Sequence, residues 1–158
     1  MALEIERKFL VKNDGWRGCS EGVLFRQGYL SSEKTRVVRV RIAGSNAFLT
    51  IKGKTCGISR LEFEYPIPVE DASKMLDELC EKPLIEKTRY ILDDGGQRWE
   101  IDEFHGVNQG LIVAEIELDD ESDGFEKPSW LGREVSHDPR YFNANLARHP
   151  YSEWQDSE

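Results

Sequence analysis

Apolar and polar residues alternate with a period of two along most of this chain. That is the signature of strands with one wet and one dry face. Leu3, Ile5 and Phe9 alternate with Glu4, Glu6 and Lys8, and Val38, Val40 and Ile42 with Arg39 and Arg41. The same alternation runs through Leu49–Lys52, Leu61–Tyr65, Trp99–Asp102 and Ala114–Leu118. Residues 85–92, with Lys87 and Arg89 two apart, and residues 23–30 also read as strands. Gly44-Ser45-Asn46 and Asp94-Gly95-Gly96 supply hairpin turns, and Gly53, Gly57, Gly106 and Gly110 mark slightly longer connections. Short connections favour antiparallel neighbours, so the pattern predicts a meander of about eight strands, enough to close into a barrel.

Two stretches depart from this period. Ala72, Met75, Leu76, Leu79 and Cys80 form a one-sided stripe that predicts a helix over 69–80, with Glu70 and Asp71 at its positive end. A second helix is predicted over 139–148, capped by Asp138, entered through Pro139 and stopped by Pro150. Residues 119–127 are acidic and read as a solvated loop or a short helix. No internal repeat or linker divides the chain, which predicts one domain over 1–158.

The polar face of these strands is almost wholly ionic. Basic pairs lie two residues apart at Arg39/Arg41 and Lys87/Arg89, with Lys52/Lys54 a third. Acidic pairs lie at Glu4/Glu6, Glu62/Glu64, Glu100/Asp102 and Glu115/Glu117. Residues so spaced share a face about 6.5–7 Å apart, where like charges repel unless an opposite charge intervenes. Two arrangements remain open. The charges face solvent and exchange weak surface ion pairs, the simpler reading of periodicity alone. Or they line a barrel lumen, with the apolar face outward beneath the helices. In a lumen, Arg and Lys suit phosphate oxygens, and clustered carboxylates suit hard divalent cations such as Mg²⁺ or Mn²⁺. No P-loop and no Ser-His-Asp or Cys-His arrangement is present.

Composition narrows the classes. The 158 residues include 30 acidic and 21 basic side chains, a net charge of −9, which argues against a nucleic-acid partner. No apolar run reaches the ~20 residues of a membrane span, so no membrane partner is expected. The charged start, Glu4-Ile5-Glu6-Arg7-Lys8, does not resemble a signal peptide. Cys19, Cys56 and Cys80 form neither a disulfide framework nor a zinc motif, so a reducing cytoplasm is expected. His105, His137 and His149 show no metal-ligand spacing.

The ordered series sharpens the choice between the two arrangements. Glu4-x-Glu6-x-Lys8 is followed by Arg39-x-Arg41, Lys52, Arg60-x-Glu62-x-Glu64, Lys87-x-Arg89, Asp102 and Glu115-x-Glu117. This series resembles the triphosphate tunnel metalloenzymes, the CYTH superfamily, over nearly the whole chain. The segment Trp130-Leu131-Gly132-Arg133-Glu134-Val135, with Tyr141 and Asn143 beyond, is similar to the C-terminal part of the short bacterial members. The resemblance implies a mainly β fold: a closed eight-stranded antiparallel barrel forming a charged tunnel, with peripheral helices. It implies that Lys8, Arg39, Arg41, Lys52, Lys87 and Arg89 bind the substrate's phosphates. It assigns one or two divalent ions, Mg²⁺ or Mn²⁺, to Glu4, Glu6, Asp102, Glu115 and Glu117. Glu4, Glu6, Lys8 and Glu62 become the catalytic set. Glu64, Glu100, Lys54 and Arg60 take lesser places near the rim, and Arg7 falls on the outer face.

The activity implied is hydrolysis of inorganic triphosphate to pyrophosphate and phosphate by a metal-activated water. The alternatives are a class IV adenylate cyclase, which would need an adenine pocket, and a thiamine triphosphatase, which would need an aromatic platform such as Trp16 or Trp154. A polyphosphate-binding module would not need all of the carboxylates. Uncovered apolar barrel surface could pair two copies as a homodimer.

Overall fold

A computed structural model describes residues 3–154. Among them, eight strands close into an antiparallel barrel: β1 (Leu3–Val11), β2 (Val23–Glu33), β3 (Arg36–Ala43), β4 (Asn46–Lys52), β5 (Ser59–Ile67), β6 (Ile85–Asp94), β7 (Gln97–Phe104) and β8 (Ile112–Glu117). A short ninth strand, β9 (Leu131–Glu134), joins the outside of the seam. The order is β5-β4-β3-β2-β6-β7-β8-β1-β9, and pairing of β1 with β5 closes the circle.

The meander expected from connection lengths holds for β2–β5 and for β6–β8 but fails at two junctions. Residues 12–22 carry the chain from β1 to β2 without pairing them, and α1 (Val69–Glu78) returns it from β5 to the free edge of β2. β1 is thereby left to fill the gap between β8 and β5. Its Glu6–Leu10 portion runs along β8, while on the opposite edge Leu3–Ile5 pair with β5 and Phe9 and Val11 with β9.

Turn chemistry fixes the registers. Gly95 and Gly96 both take positive φ, as a two-residue type I′ hairpin requires. Gly28 serves a different need. A Cβ there would stand 2.7 Å from Leu84 and 2.9 Å from Cys80, so its absence lets the α1 segment lie directly on β2. α1 contributes Ala72 and Leu76, and the segment following it Cys80, to a cluster with Val40 and Ala47. Its C-terminal carbonyls of Leu76 and Asp77 accept bonds from Lys82 Nζ at 2.8 and 3.1 Å.

The apolar faces of the strands point outward and are covered in separate patches. Phe9, Trp99, Ile101 and Ile116 pack beneath Trp16, Phe125, Trp130 and Leu131, which come from residues outside the eight barrel strands. Trp99 meets Phe9, Phe125 and Trp130 edge-on, at 5.4–5.8 Å between ring centroids.

The second predicted helix differs in form and in place. It divides into a 3₁₀ turn, Pro139–Tyr141, and α2 (Asn143–Arg148), because Phe142 between them is extended at ψ 134°. Asp138 caps the turn as expected, accepting from the Arg140 backbone. Instead of covering the outer wall, Tyr141, Leu146 and Ala147 pack against Tyr29, Val37, Ile85, Phe104 and Val113. Phe104 is paired across the ladder with Lys87, and Val113 with Asp102, so these apolar residues share the face of the tunnel charges. The C-terminal segment therefore seals one end of the lumen.

Removing the Trp99 side chain leaves a cavity that several rigid rings cannot collapse into. Trp99→Ala should lower the unfolding free energy by about 3–5 kcal/mol, read from urea denaturation followed by circular dichroism.

Candidate active site

The period of two places every predicted site residue on the inner face of its strand. Register then brings them together. Lys8 lies opposite Glu115, Glu6 opposite Glu117, Arg89 opposite Asp102, and Lys52 opposite Glu62. Arg7 points outward, where it pairs with Glu134 at 3.1 Å.

The ionic contacts form three groups. Deepest is Asp102, 1% exposed. It accepts from Arg89 through both oxygens at 2.7 and 2.8 Å and pairs with Lys87 at 2.7 Å. Burial opposes its charge, but Arg89 and Lys87 hold the carboxyl well below the usual range. Burial pushes the Lys87 ammonium down, to about 7, and the neighbouring Arg89 and Arg41 add to this against Asp102. In the middle, Lys8 pairs with Glu115 at 2.5 Å and Glu6 at 3.2 Å. Burial would lower its pKa, yet Glu115, Glu6 and Glu4 together hold it above its ordinary value. Along β4, Lys52 bridges Glu4 at 3.2 Å and Glu62 at 3.5 Å. Nearby, Arg39 and Thr50 both donate to Glu64.

Arg41 and Glu117 lie on the inner faces of their strands without an opposite charge. Arg41 is buried, and among the described residues no carboxylate comes within ion-pair distance of it. Its Nε donates to Gln27 Oε1 at 2.8 Å. Burial, then Arg39 and Arg89, push its guanidinium below its usual value, although an arginine stays protonated at neutral pH. The Phe25 ring lies beneath both Arg41 and Arg89, 4.7 and 4.8 Å from its centroid. The converse case is Glu117. It has no ion-pair partner among the described residues, and its pKa rises to about 7 through burial and the charges of Glu4, Glu6, Glu62 and Glu100. The tunnel thus carries a cation without a carboxylate partner and, among carboxylates that are paired, one that is not.

A cavity of about 560 Å³ is lined by Glu4, Glu6, Lys8, Arg39 and Lys52, with Tyr29 and Asn143. Lys34, Lys54, Arg60 and Arg148 also border it, with Glu33 among them, so basic side chains outnumber acidic ones around it. A smaller cavity of about 420 Å³ is bordered by Glu100, Glu117, Asp119, Asp123 and Arg98. Among the described residues, no three acidic, histidine or cysteine side chains converge closely enough to hold a metal ion directly. Lys8 and Lys52 stand among the carboxylates instead.

Sequence reasoning ranked Glu64 and Glu100 low, yet both belong to the ion-pair network, Glu100 through Arg89 at 3.1 Å. Gln27 and Thr50 are absent from the predicted set, and Tyr29 is a core residue that also lines the cavity. All three are buried inward-facing residues, and inward parity between charged neighbours is the signal that could have found them.

The chain matches the family described as CYTH domain over residues 2–151. It is 52% identical over 156 residues to an inorganic triphosphatase of Acetivibrio thermocellus, covering 99% of this chain and 100% of that one. It is 40% identical over 149 residues to an inorganic triphosphatase of Nitrosomonas europaea, covering 91% and 96%. Among solved structures, the inorganic triphosphatase NE1496 superposes with a TM-score of 0.67 at 37% identity, over 93% of this chain and 95% of that one. The Pyrococcus horikoshii OT3 protein PH1012, at 17% identity and a TM-score of 0.56 over 75% and 80% of the two chains, shares the fold.

The Glu117 carboxyl binds its proton more tightly in the folded chain than in the unfolded one. Between its ordinary 4.5 and about 7, folding therefore takes up a proton, and this group's contribution to stability falls as pH rises through that window. In EDTA, Glu117→Gln should flatten the decline in melting temperature between pH 5 and pH 8. Identical pH slopes in the two proteins would refute the shift.

Proposed function

The chain belongs to the CYTH domain family, and from that membership we propose that it hydrolyses inorganic triphosphate to pyrophosphate and orthophosphate. The observation that carries this reading is the presence, in one lumen, of Arg41 without a carboxylate partner and of Glu117 without a cationic one among the carboxylates Glu4, Glu6, Glu62 and Glu100. A polyanion suits the first, and a divalent cation suits the second.

The ligand-free tunnel holds Lys8 and Lys52 on carboxylates. Triphosphate offers these ammonium groups stronger partners, with Arg39, Arg41, Lys87 and Arg89 completing the phosphate contacts. Glu4 and Glu6 are thereby released toward Glu117, a set of hard oxygen donors fit for one or two Mg²⁺ or Mn²⁺ ions. Glu115 and Asp102 are the deeper carboxylates of the same proposed set. When bound, such an ion acts as a Lewis acid and lowers the pKa of a water molecule. Water attacks the terminal phosphorus in line as the bond to the bridging oxygen breaks. The guanidinium and ammonium groups hold the charge that develops on pyrophosphate. Glu62, 3.5 Å from Lys52, orients that lysine toward the phosphate chain.

The residues considered as platforms for an organic triphosphate are committed elsewhere. Trp16 is buried against Tyr90, and Trp154 packs on Tyr141 and Tyr151. This favours the inorganic substrate over the thiamine ester. A pure binding module would leave the clustered carboxylates without a purpose. The net charge of −9 disfavours nucleic acid, and the free thiols of Cys19 and Cys56 suit the cytoplasm. Among the described residues no helix is long and apolar enough to cross a membrane. Leu3, Ile51, Leu61, Phe63 and Tyr65 are exposed on the outer face of adjoining strands, a surface on which a second copy of the chain would pack as a homodimer.

Purified protein given Mg²⁺ or Mn²⁺ should release phosphate from inorganic triphosphate faster than from ATP or thiamine triphosphate, without forming cyclic AMP. Tight triphosphate binding without turnover of any of them would overturn the hydrolase. Glu4→Gln or Glu6→Gln should abolish metal-dependent turnover while leaving the circular dichroism spectrum unchanged, and Arg41→Ala should weaken triphosphate binding about tenfold or more.

A further inference from the structure

The deepest cations of the tunnel are not all held in the same way. Asp102 pairs with both Arg89 and Lys87, but among the described residues Arg41 has no carboxylate partner; it meets an amide oxygen, and Lys87 meets another beside Asp102. Arg41 Nε donates to Gln27 Oε1 at 2.8 Å, and Lys87 Nζ donates to Asn143 Oδ1 at 3.0 Å. The two amides also face each other, Gln27 Nε2 lying 3.4 Å from Asn143 Oδ1 and 3.4 Å from the Tyr29 hydroxyl. Amide orientation follows from chemistry. Guanidinium and ammonium groups can only donate, so both must be met by the oxygen ends, which leaves the Gln27 NH₂ to bond Asn143 and Tyr29.

Gln27 is fully buried, as is Lys87. A carboxylate at either amide position would satisfy the same donors and also cancel their charge. The Gln27 amide fixes direction and leaves the Arg41 charge intact, and the Asn143 amide adds no second carboxylate to Lys87.

We propose that Gln27 and Asn143 are positioning residues that orient Arg41 and Lys87 through neutral acceptors, so that Arg41 keeps a charge no carboxylate cancels and Lys87 meets no carboxylate beyond the Asp102 it shares with Arg89. Gln27 does this from β2, within the barrel wall. Asn143 does it from the first turn of α2, and so couples the C-terminal segment that seals the tunnel to the cations inside it. Neither residue touches the substrate by necessity; each acts through its cation. The inference deepens the triphosphatase reading and rests on it for the identity of the anion.

Gln27→Glu is the decisive variant, since it keeps size and the acceptor toward Arg41 and adds a charge, at the cost of the two long bonds that the Gln27 NH₂ donates to Asn143 and Tyr29. Against wild type, it should weaken inorganic triphosphate binding in calorimetry by tenfold or more and raise KM more than it lowers kcat. In the ligand-free protein it should lower the melting temperature less than Gln27→Leu does, because the counter-ion gained by Arg41 offsets the donor lost toward Asn143 and Tyr29. Gln27→Leu, which removes the acceptor as well, should lower the melting temperature further. Asn143→Asp should reproduce the affinity loss, with Lys87 in place of Arg41. Wild-type affinity in Gln27→Glu, or a melting temperature lowered as far as in Gln27→Leu, would overturn the inference, since packing alone would then explain the residue. Wild-type protein that binds triphosphate without cleaving it would remove the hydrolase reading and leave this one standing. Wild-type protein that binds no triphosphate would remove both.

Discussion

Charge balance inside a closed wall governs this structure. Taking an ion out of water costs several kcal/mol, and only a well-placed opposite charge with further hydrogen bonds offsets that cost. The lumen meets this condition at nearly every inward position: Asp102 between Arg89 and Lys87, Lys8 between Glu6 and Glu115, Lys52 between Glu4 and Glu62. The barrel must close for these partners to meet, because they come from different strands. The ions in turn set which residues may face inward. Balance fails at Arg41 and around Glu117, and the two failures have opposite sign. A site that must receive an anion and a cation together needs that kind of incompleteness.

Ordinary small barrels fill their interior with apolar side chains and take their cohesion from them. Here the cohesion is displaced to the outside. Separate clusters hold the outer wall, one beneath Trp16, Phe125 and Trp130 and another beneath α1, while a third at one end of the lumen is completed by α2. Segments outside the eight barrel strands, loops as well as helices, therefore supply a large share of the core. The division leaves the interior free to be chosen for chemistry.

Much of this was legible in the sequence. A period of two with like charges two residues apart, at Arg39/Arg41 or Glu115/Glu117, gave the strands and their shared face, and the ordered series Glu4-x-Glu6-x-Lys8 onward turned that face inward. What was not legible was set by partners distant along the chain. The position of β1 between β8 and β5 depends on how α1 returns the chain to β2, and no local pattern records that. β9 is four residues long, too short for alternation to stand out. The 139–148 segment carries a good helical signal, but Phe142 is drawn into an extended conformation as the chain turns over the end of the barrel. Gln27 and Asn143 read as ordinary polar residues, because their significance lies in the charge they lack. The net charge of −9 is silent on the lumen for a related reason: a sum over the chain conceals an interior in which both signs are held side by side.

The split allegiance of β1 has a mechanical consequence. On one edge its ladder with β8 is continuous, but on the other it leaves β5 after Ile5 and meets β9 only from Phe9. Between them the wall is closed by isolated bonds, Glu6 N to Ile58 O at 3.3 Å and Lys8 N to Ser136 Oγ at 2.9 Å. A barrel stretched elsewhere would have to shear a whole ladder, whereas here a few bonds yield first. Compliance is thus concentrated in the stave that bears Glu4, Glu6 and Lys8, and amide hydrogen exchange along this seam would report the breathing of the wall.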